Sequence, residues 1–127
     1  GPYESYSDKH RASWVDRFDT TVDDMFEDYV FPQENGSHYN CQYASVGNLF
    51  AKGKKPFSFQ ASRYSEKELD EKAHNFELVP SDGIYVALDY KQSGIGSNSC
   101  GPRLAEKYQL REEKIEWEIS IRFDNKN

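Results

Sequence analysis

The chain lacks most of what a membrane protein, a disulfide-stapled protein or a nucleic-acid binder needs. No apolar run in its 127 residues approaches the ~20 residues of a membrane-spanning helix, so no membrane contact is expected. Hydrophobic residues make up only 36% of the chain, and Leu, Ile and Val are scarce beside the aromatics, which predicts one domain with a modest core. Two cysteines, Cys41 and Cys100, do not make a disulfide framework, and free thiols are expected. His38 and Cys41 offer two ligands where zinc takes about four, and nothing nearby in the sequence completes the set. A net charge of −6 repels phosphate backbones and argues against a nucleic-acid partner. No secretory leader pattern is visible, and the expectation is a cytoplasmic protein.

What the chain does have is aromatic side chains, 15% of residues, which favour strands and also surfaces that stack on sugars. Residues 14–18 read as a short strand. Asp19, Asp23, Asp24, Glu27 and Asp28 lack the glycine and alternating oxygen ligands of a calcium loop, and read as a solvated acidic face. Residues 29–31 run into Pro32, which ends regular pairing. Asn35-Gly36-Ser37 matches a glycosylation pattern but reads as a turn. Residues 39–46 and 49–52 flank Gly47-Asn48 and predict a hairpin. Residues 57–62 alternate large and small side chains, a half-buried strand with Phe57 and Phe59 inward.

Ser65 and Glu68 have the spacing of a capping box opening a short helix to about Ala73, with Glu68 and Lys72 as an i,i+4 pair. Residues 76–79 are expected to extend and 80–83 to turn. Residues 84–90 are apolar on both parities, which suggests a central strand. Ile115, Trp117, Ile119, Ile121 and Phe123 alternate with polar residues, which predicts one packed face and one wet face. The sum is an all-β chain: an antiparallel β-sandwich, or part of one, with one short helix, in a single domain over 1–127.

The strand at 84–90 breaks into a loop holding Gly94, Gly96, Ser97, Asn98, Ser99 and Cys100. Cys100 has no local signature linking it to His10, His38 or His74 as a nucleophile. Gly94-Ile95-Gly96 is not a phosphate-binding fingerprint, because no helix pattern follows it. Two carboxylates flanking a sugar would suit glycoside hydrolysis, but acidic residues are too numerous here for any pair to be singled out. Sugar binding is better supplied: Tyr43, Tyr64, Tyr90 and Trp117 offer ring faces, and Asn35, Gln92 and Asn98 offer planar polar groups, although core packing accounts for most aromatics in such a chain. Read from its residues alone, the chain is a soluble β domain with a Gly/Ser/Asn loop.

Four stretches, in order, resemble one family. "GPYESYSDKH", "YVFPQENG", "FSFQASRYSEKELDEKAH" and "LDYKQSGIGSNSCGP" are similar to segments of the large β-galactosidases of glycoside hydrolase family 2, and the similarity spans about residues 1–123. The matching region is the C-terminal part of that family's last β-sandwich, the small-chain domain, a supersandwich of galactose-mutarotase-like fold. The resemblance implies a role in hydrolysis of terminal β-galactosides such as lactose by a retaining enzyme. The catalytic glutamates would lie in a barrel absent from this chain, so the chain alone is expected to be inactive, with no catalytic and no metal-binding residue. Magnesium and sodium ions belong to the full family enzyme, with no cofactor in this chain. The partners implied are the remaining domains or a large subunit, a galactoside, and in some forms further copies.

The resemblance also assigns the loop. Gly94, Gly96, Ser97, Asn98, Ser99 and Cys100 would help line the substrate cleft. Cys100 stands where the family has a tryptophan platform, and a thiol cannot stack on a sugar as an indole does. A free-standing carbohydrate-binding module is the alternative.

Overall fold

The computed structural model describes residues 1–96 and 102–124. Its framework is one open antiparallel sheet of β1 (His38–Val46), β2 (Leu49–Ser62), β3 (Tyr85–Asp89) and β4 (Ile119–Phe123), with a short helix α1 (Glu66–Glu71). The all-β class read from the sequence holds. The described residues form one layer, with β2 paired to all three other strands.

The hairpin forms where Gly47-Asn48 predicts it, with Val46 opposite Leu49. Gly47 sits at φ +58°, the left-handed region a two-residue turn demands. The strands at 49–52 and 57–62 are one strand, interrupted by a wide bulge. Between Cys41 and Tyr43, two steps along β1 face five along β2, from Phe57 to Lys52. The excess falls on Gly53, Lys54, Lys55 and Pro56, and Pro56 has no N–H to offer a ladder. A Cβ on Gly53 would lie 2.2 Å from the Lys55 carbonyl oxygen and 2.9 Å from Phe57, so the bulge closes only around a glycine.

The bulge divides the sheet. On one side of it β2 pairs with β4, ending at Gly53 opposite Ile119; on the other it pairs with β3, from Ser58 opposite Asp89. The core cluster crosses both halves: Ala44, Ala51, Phe57, Phe59, Ala61 and Met25 are buried, with Val86, Leu88, Trp117 and Ile119 packed against them. Phe57 and Phe59 point inward as read from the sequence.

Several expectations need correction. Residues 14–18 form no strand: Trp14 packs edge-on against Phe18 and Val15 is exposed, and none of the described strands offers them a ladder. Among the described residues β3 is an edge strand, paired on one side, and β2 the central one; the apolar character of β3 on both parities reflects two partly covered faces. β4 begins at Ile119, not at 115: within the bulge one further bond, from the Lys54 N–H to the Glu118 carbonyl at 3.2 Å, continues the ladder before pairing ends. Its inward face is only half covered: Ile121 is 50% exposed and Phe123 62%.

α1 ends at Glu71, two residues before the expected end. Ser65 accepts the Glu68 N–H at 3.0 Å, but the reciprocal half of the box is missing, because the Glu68 carboxylate turns to the Val79 N–H at 2.9 Å. Lys72 and Glu68 stand at the i,i+4 distance of 4.0 Å. Residues 75–77 make one tight turn (Asn75–Glu77) in place of an extended start, with the Glu77 carboxylate accepting the His74 N–H.

Candidate functional site

The segments that precede the sheet fold against one end of it through buried polar contacts. Glu4 is the centre. Its side chain is 2% exposed and accepts from four donors: Lys9 Nζ at 2.6 Å, the Tyr6 hydroxyl at 3.0 Å, the Gly36 N–H at 2.9 Å, and the Tyr29 hydroxyl. Burial pushes the Glu4 carboxyl up, but the hydrogen bonds from Lys9, Tyr29 and Gly36 together outweigh it and hold the group below its ordinary value. Gly36, at φ +71°, faces the Met25 carbonyl oxygen, which a Cβ would approach to 2.4 Å. Asn35 is also buried: its side-chain oxygen accepts the Glu27 N–H, and its backbone carbonyl accepts from Gln60 of β2. Asn35 is therefore a structural residue and no sugar ligand.

The chain leaving β3 is tied to this cluster. Gln92 donates to Glu34 at 2.7 Å and to Asp89 at 3.1 Å, and accepts from the fully buried Ser37 hydroxyl at 3.0 Å. Glu34 lies at the exposed rim and Asp89 is half-buried; partial desolvation raises the carboxyls of both, and Glu34 is raised further by Asp89. Two raised carboxyls side by side are the raw material of glycoside hydrolysis. Here the Gln92 amide nitrogen bonds to both, so it occupies the space between them where a sugar bond would have to lie.

Beyond Gln92 the loop doubles back. The Gly94 N–H donates to the Tyr108 carbonyl at 2.9 Å, and Ser93 accepts the Leu110 N–H at 3.1 Å. Asp8 reaches in from the first segment: one oxygen accepts the Ile95 N–H at 2.9 Å and the other the Gly96 N–H at 3.0 Å. A Cβ on Gly94 would stand 2.5 Å from that carboxylate, so the loop base needs glycine there to let Asp8 approach. Of the loop residues singled out in the sequence, Gly94 and Gly96 are thus brought together by Asp8; Ser97, Asn98, Ser99 and Cys100 lie outside the described residues. Asp8, Glu4 and Glu34 were missed. All three sit inside family-like stretches, but nothing in their spacing marks them, because the contacts that decide their roles, Gly36 for Glu4, Gln92 for Glu34 and Ile95 for Asp8, are far away in the chain.

Two clefts flank this region. One, of about 390 Å³, is lined by Glu34, Gln60, Tyr64, Glu66 and Tyr85 among others. The other, of about 790 Å³, runs past Tyr39, Lys55, Tyr90, Gln92 and Tyr108. Tyr64, Tyr90 and Gln92 from the sugar-ligand candidates therefore line clefts. Tyr43 stacks on Phe50 instead, and Trp117 packs on the core. Burial pushes the Cys41 thiol up, and its S–H donates to the His38 carbonyl oxygen at 3.3 Å, so it is no activated nucleophile. Among the described residues no three His, Cys, Asp or Glu side chains are grouped to hold a metal ion.

Four separated stretches thus converge at one end of the sheet, and comparison with known proteins gives the convergence a context. Residues 1–123 match the family described as beta galactosidase small chain. The beta-galactosidase of Actinobacillus pleuropneumoniae is 50% identical over 98% of this chain and 12% of its own length. That of Staphylococcus xylosus is 42% identical over 97% of the chain and 13% of its own length. That of Kluyveromyces lactis is 34% identical over 98% and 12% respectively. The chain spans about an eighth of the length of these relatives. With a match over nearly its whole length, the chain belongs to the beta galactosidase small chain family.

Proposed function

We propose that the chain works as part of a glycoside hydrolase family 2 β-galactosidase that cleaves terminal β-galactosides such as lactose, contributing its C-terminal β-sandwich segment. One observation carries this: the family match covers residues 1–123, while the same residues take up about 12% of each beta-galactosidase relative. The chemistry then belongs to the remainder of the enzyme, and the chain by itself is silent. Magnesium and sodium ions, where the enzyme uses them, are held outside the described residues.

In this proposal the sheet packs on the catalytic barrel through faces left open here, and the loop from Gly94 to Cys100 helps line the sugar cleft. The half-exposed Ile121 and Phe123 on β4, an edge strand among the described residues, support the packing role, since large apolar side chains on an unpaired edge invite a partner. The test is capture of the remaining β-galactosidase polypeptide by the purified chain. Binding that is lost in Ile121→Lys/Phe123→Lys supports the proposal; no binding by a folded chain contradicts it.

The groove past Tyr39, Tyr90 and Tyr108 favours a second possibility, a free-standing carbohydrate-binding module. Heat released on titrating galactose or lactose into the isolated chain, lost in Tyr90→Ala, would support the module. A titration without binding heat supports the enzyme-segment role.

A further inference from the structure

We propose that Asp8 is a positioning residue for sugar binding: its carboxylate fixes the base of the loop at Gly94–Gly96, and through it the affinity of the enzyme for its galactoside. The assignment rests on the sugar-cleft role proposed above. The two contacts are charge-assisted and use both carboxylate oxygens, one for the Ile95 N–H and one for the Gly96 N–H. An amide at this position offers only one acceptor, so the charge and symmetry of the carboxylate are both required.

Asp8 can impose this geometry because its own backbone is held. Tyr6 and Lys9 exchange backbone hydrogen bonds at 2.9 and 3.0 Å, which puts Asp8 in a tight turn. Both ends of the turn are fastened to the buried Glu4, by the Tyr6 hydroxyl and by Lys9 Nζ. Glu4 in turn holds Gly36, beside the Ser37 and Glu34 that grip Gln92. The loop therefore leaves β3 between two clamps, one at Gln92 and one at Gly94–Gly96. Gly94 is matched to the second: the 2.5 Å a Cβ would leave to the Asp8 carboxylate makes the pair interdependent. A residue that acts through the loop alters sugar contacts made away from the reacting bond, so its loss shows in KM before kcat.

The experiment uses a full-length β-galactosidase carrying this segment, with Asp8→Asn, Asp8→Ala, Gly94→Ala and the double variant Asp8→Ala/Gly94→Ala. Steady-state kinetics on a galactoside are read beside hydrogen–deuterium exchange of the peptide spanning 93–96. Asp8→Asn is expected to raise KM about tenfold with kcat changed less than about twofold. Exchange should quicken at 93–96 and stay unchanged elsewhere, which establishes that the variant is folded. Gly94→Ala should do at least as much damage, and adding Asp8→Ala to it should cost nothing further, because the clash leaves with the carboxylate. Unchanged KM in a variant whose loop has loosened overturns the proposal, as do losses that simply add. A parent with no galactoside turnover refutes the enzyme role itself, and the exchange data then decide the clamp independently.

Discussion

The Glu4 carboxylate accepts the backbone N–H of Gly36 at 2.9 Å, across 32 positions of the chain. Tyr6, Lys9 and Tyr29 complete its shell, so a single buried charge joins the first ten residues to the segment that enters β1. Removing the acceptor leaves the buried Tyr6 hydroxyl and Gly36 N–H without a partner, while the half-exposed Lys9 turns to water. Glu4→Ala is expected to destabilise the fold by about 2–3 kcal/mol, the cost of leaving buried donors unsatisfied. Urea unfolding of the two proteins measures it, and a shift in midpoint under a few tenths molar would show the hub to be dispensable.

The same carboxylate sets an acid limit. Its folded value lies below the ordinary 4.5. Its stabilising contribution is therefore complete above that ordinary value and is lost as pH falls through the lower folded one. Wild type and Glu4→Gln should differ most in melting temperature near neutral pH and converge in strong acid. A difference that grows on acidification contradicts this.

Glu34 and Asp89 have the opposite sign. Partial desolvation and like charge raise both, so each costs some stability once pH rises through its range, less for Glu34, which solvent screens at the exposed rim. Glu34→Gln keeps an acceptor for Gln92 and removes the repulsion. It should raise the melting temperature at pH 7, with the gain fading toward pH 4 as the wild-type carboxyls take up protons. A destabilised variant at pH 7 would mean that the charge itself is needed to hold Gln92.

How much of this was legible beforehand follows the range of each interaction. Gly47-Asn48, and Phe57 and Phe59 beside it, are governed by turn chemistry and period-two alternation, which are local. The continuity of β2 was hidden by Pro56, which reads as a break and is absorbed by the wide bulge. Residues 14–18 have strand composition but no partner among the described strands, and pairing cannot be read from composition. Gly94 and Gly96 stood out as glycines in a loop. Asp8 did not, because the contact that gives it meaning lies 87 residues away.

The edge of the sheet gives a prediction of its own. Ile121 and Phe123 are 50% and 62% exposed on β4, which among the described residues pairs with β2 alone. The isolated chain should bind an apolar dye and self-associate with rising concentration, and Ile121→Lys/Phe123→Lys should suppress both. A monodisperse wild-type monomer at millimolar concentration without dye binding would show that this face needs no cover.

The central claim is that the chain completes a β-galactosidase without carrying its chemistry. Hydrolysis of a chromogenic galactoside tests it most directly, measured for the purified chain, for the enzyme lacking this segment, and for the two combined or rejoined. The account predicts no turnover by the chain, little by the truncated enzyme, and restored activity when both are present. Steady turnover by the chain alone that one acidic-residue substitution abolishes, or full activity in the truncated enzyme, would contradict it.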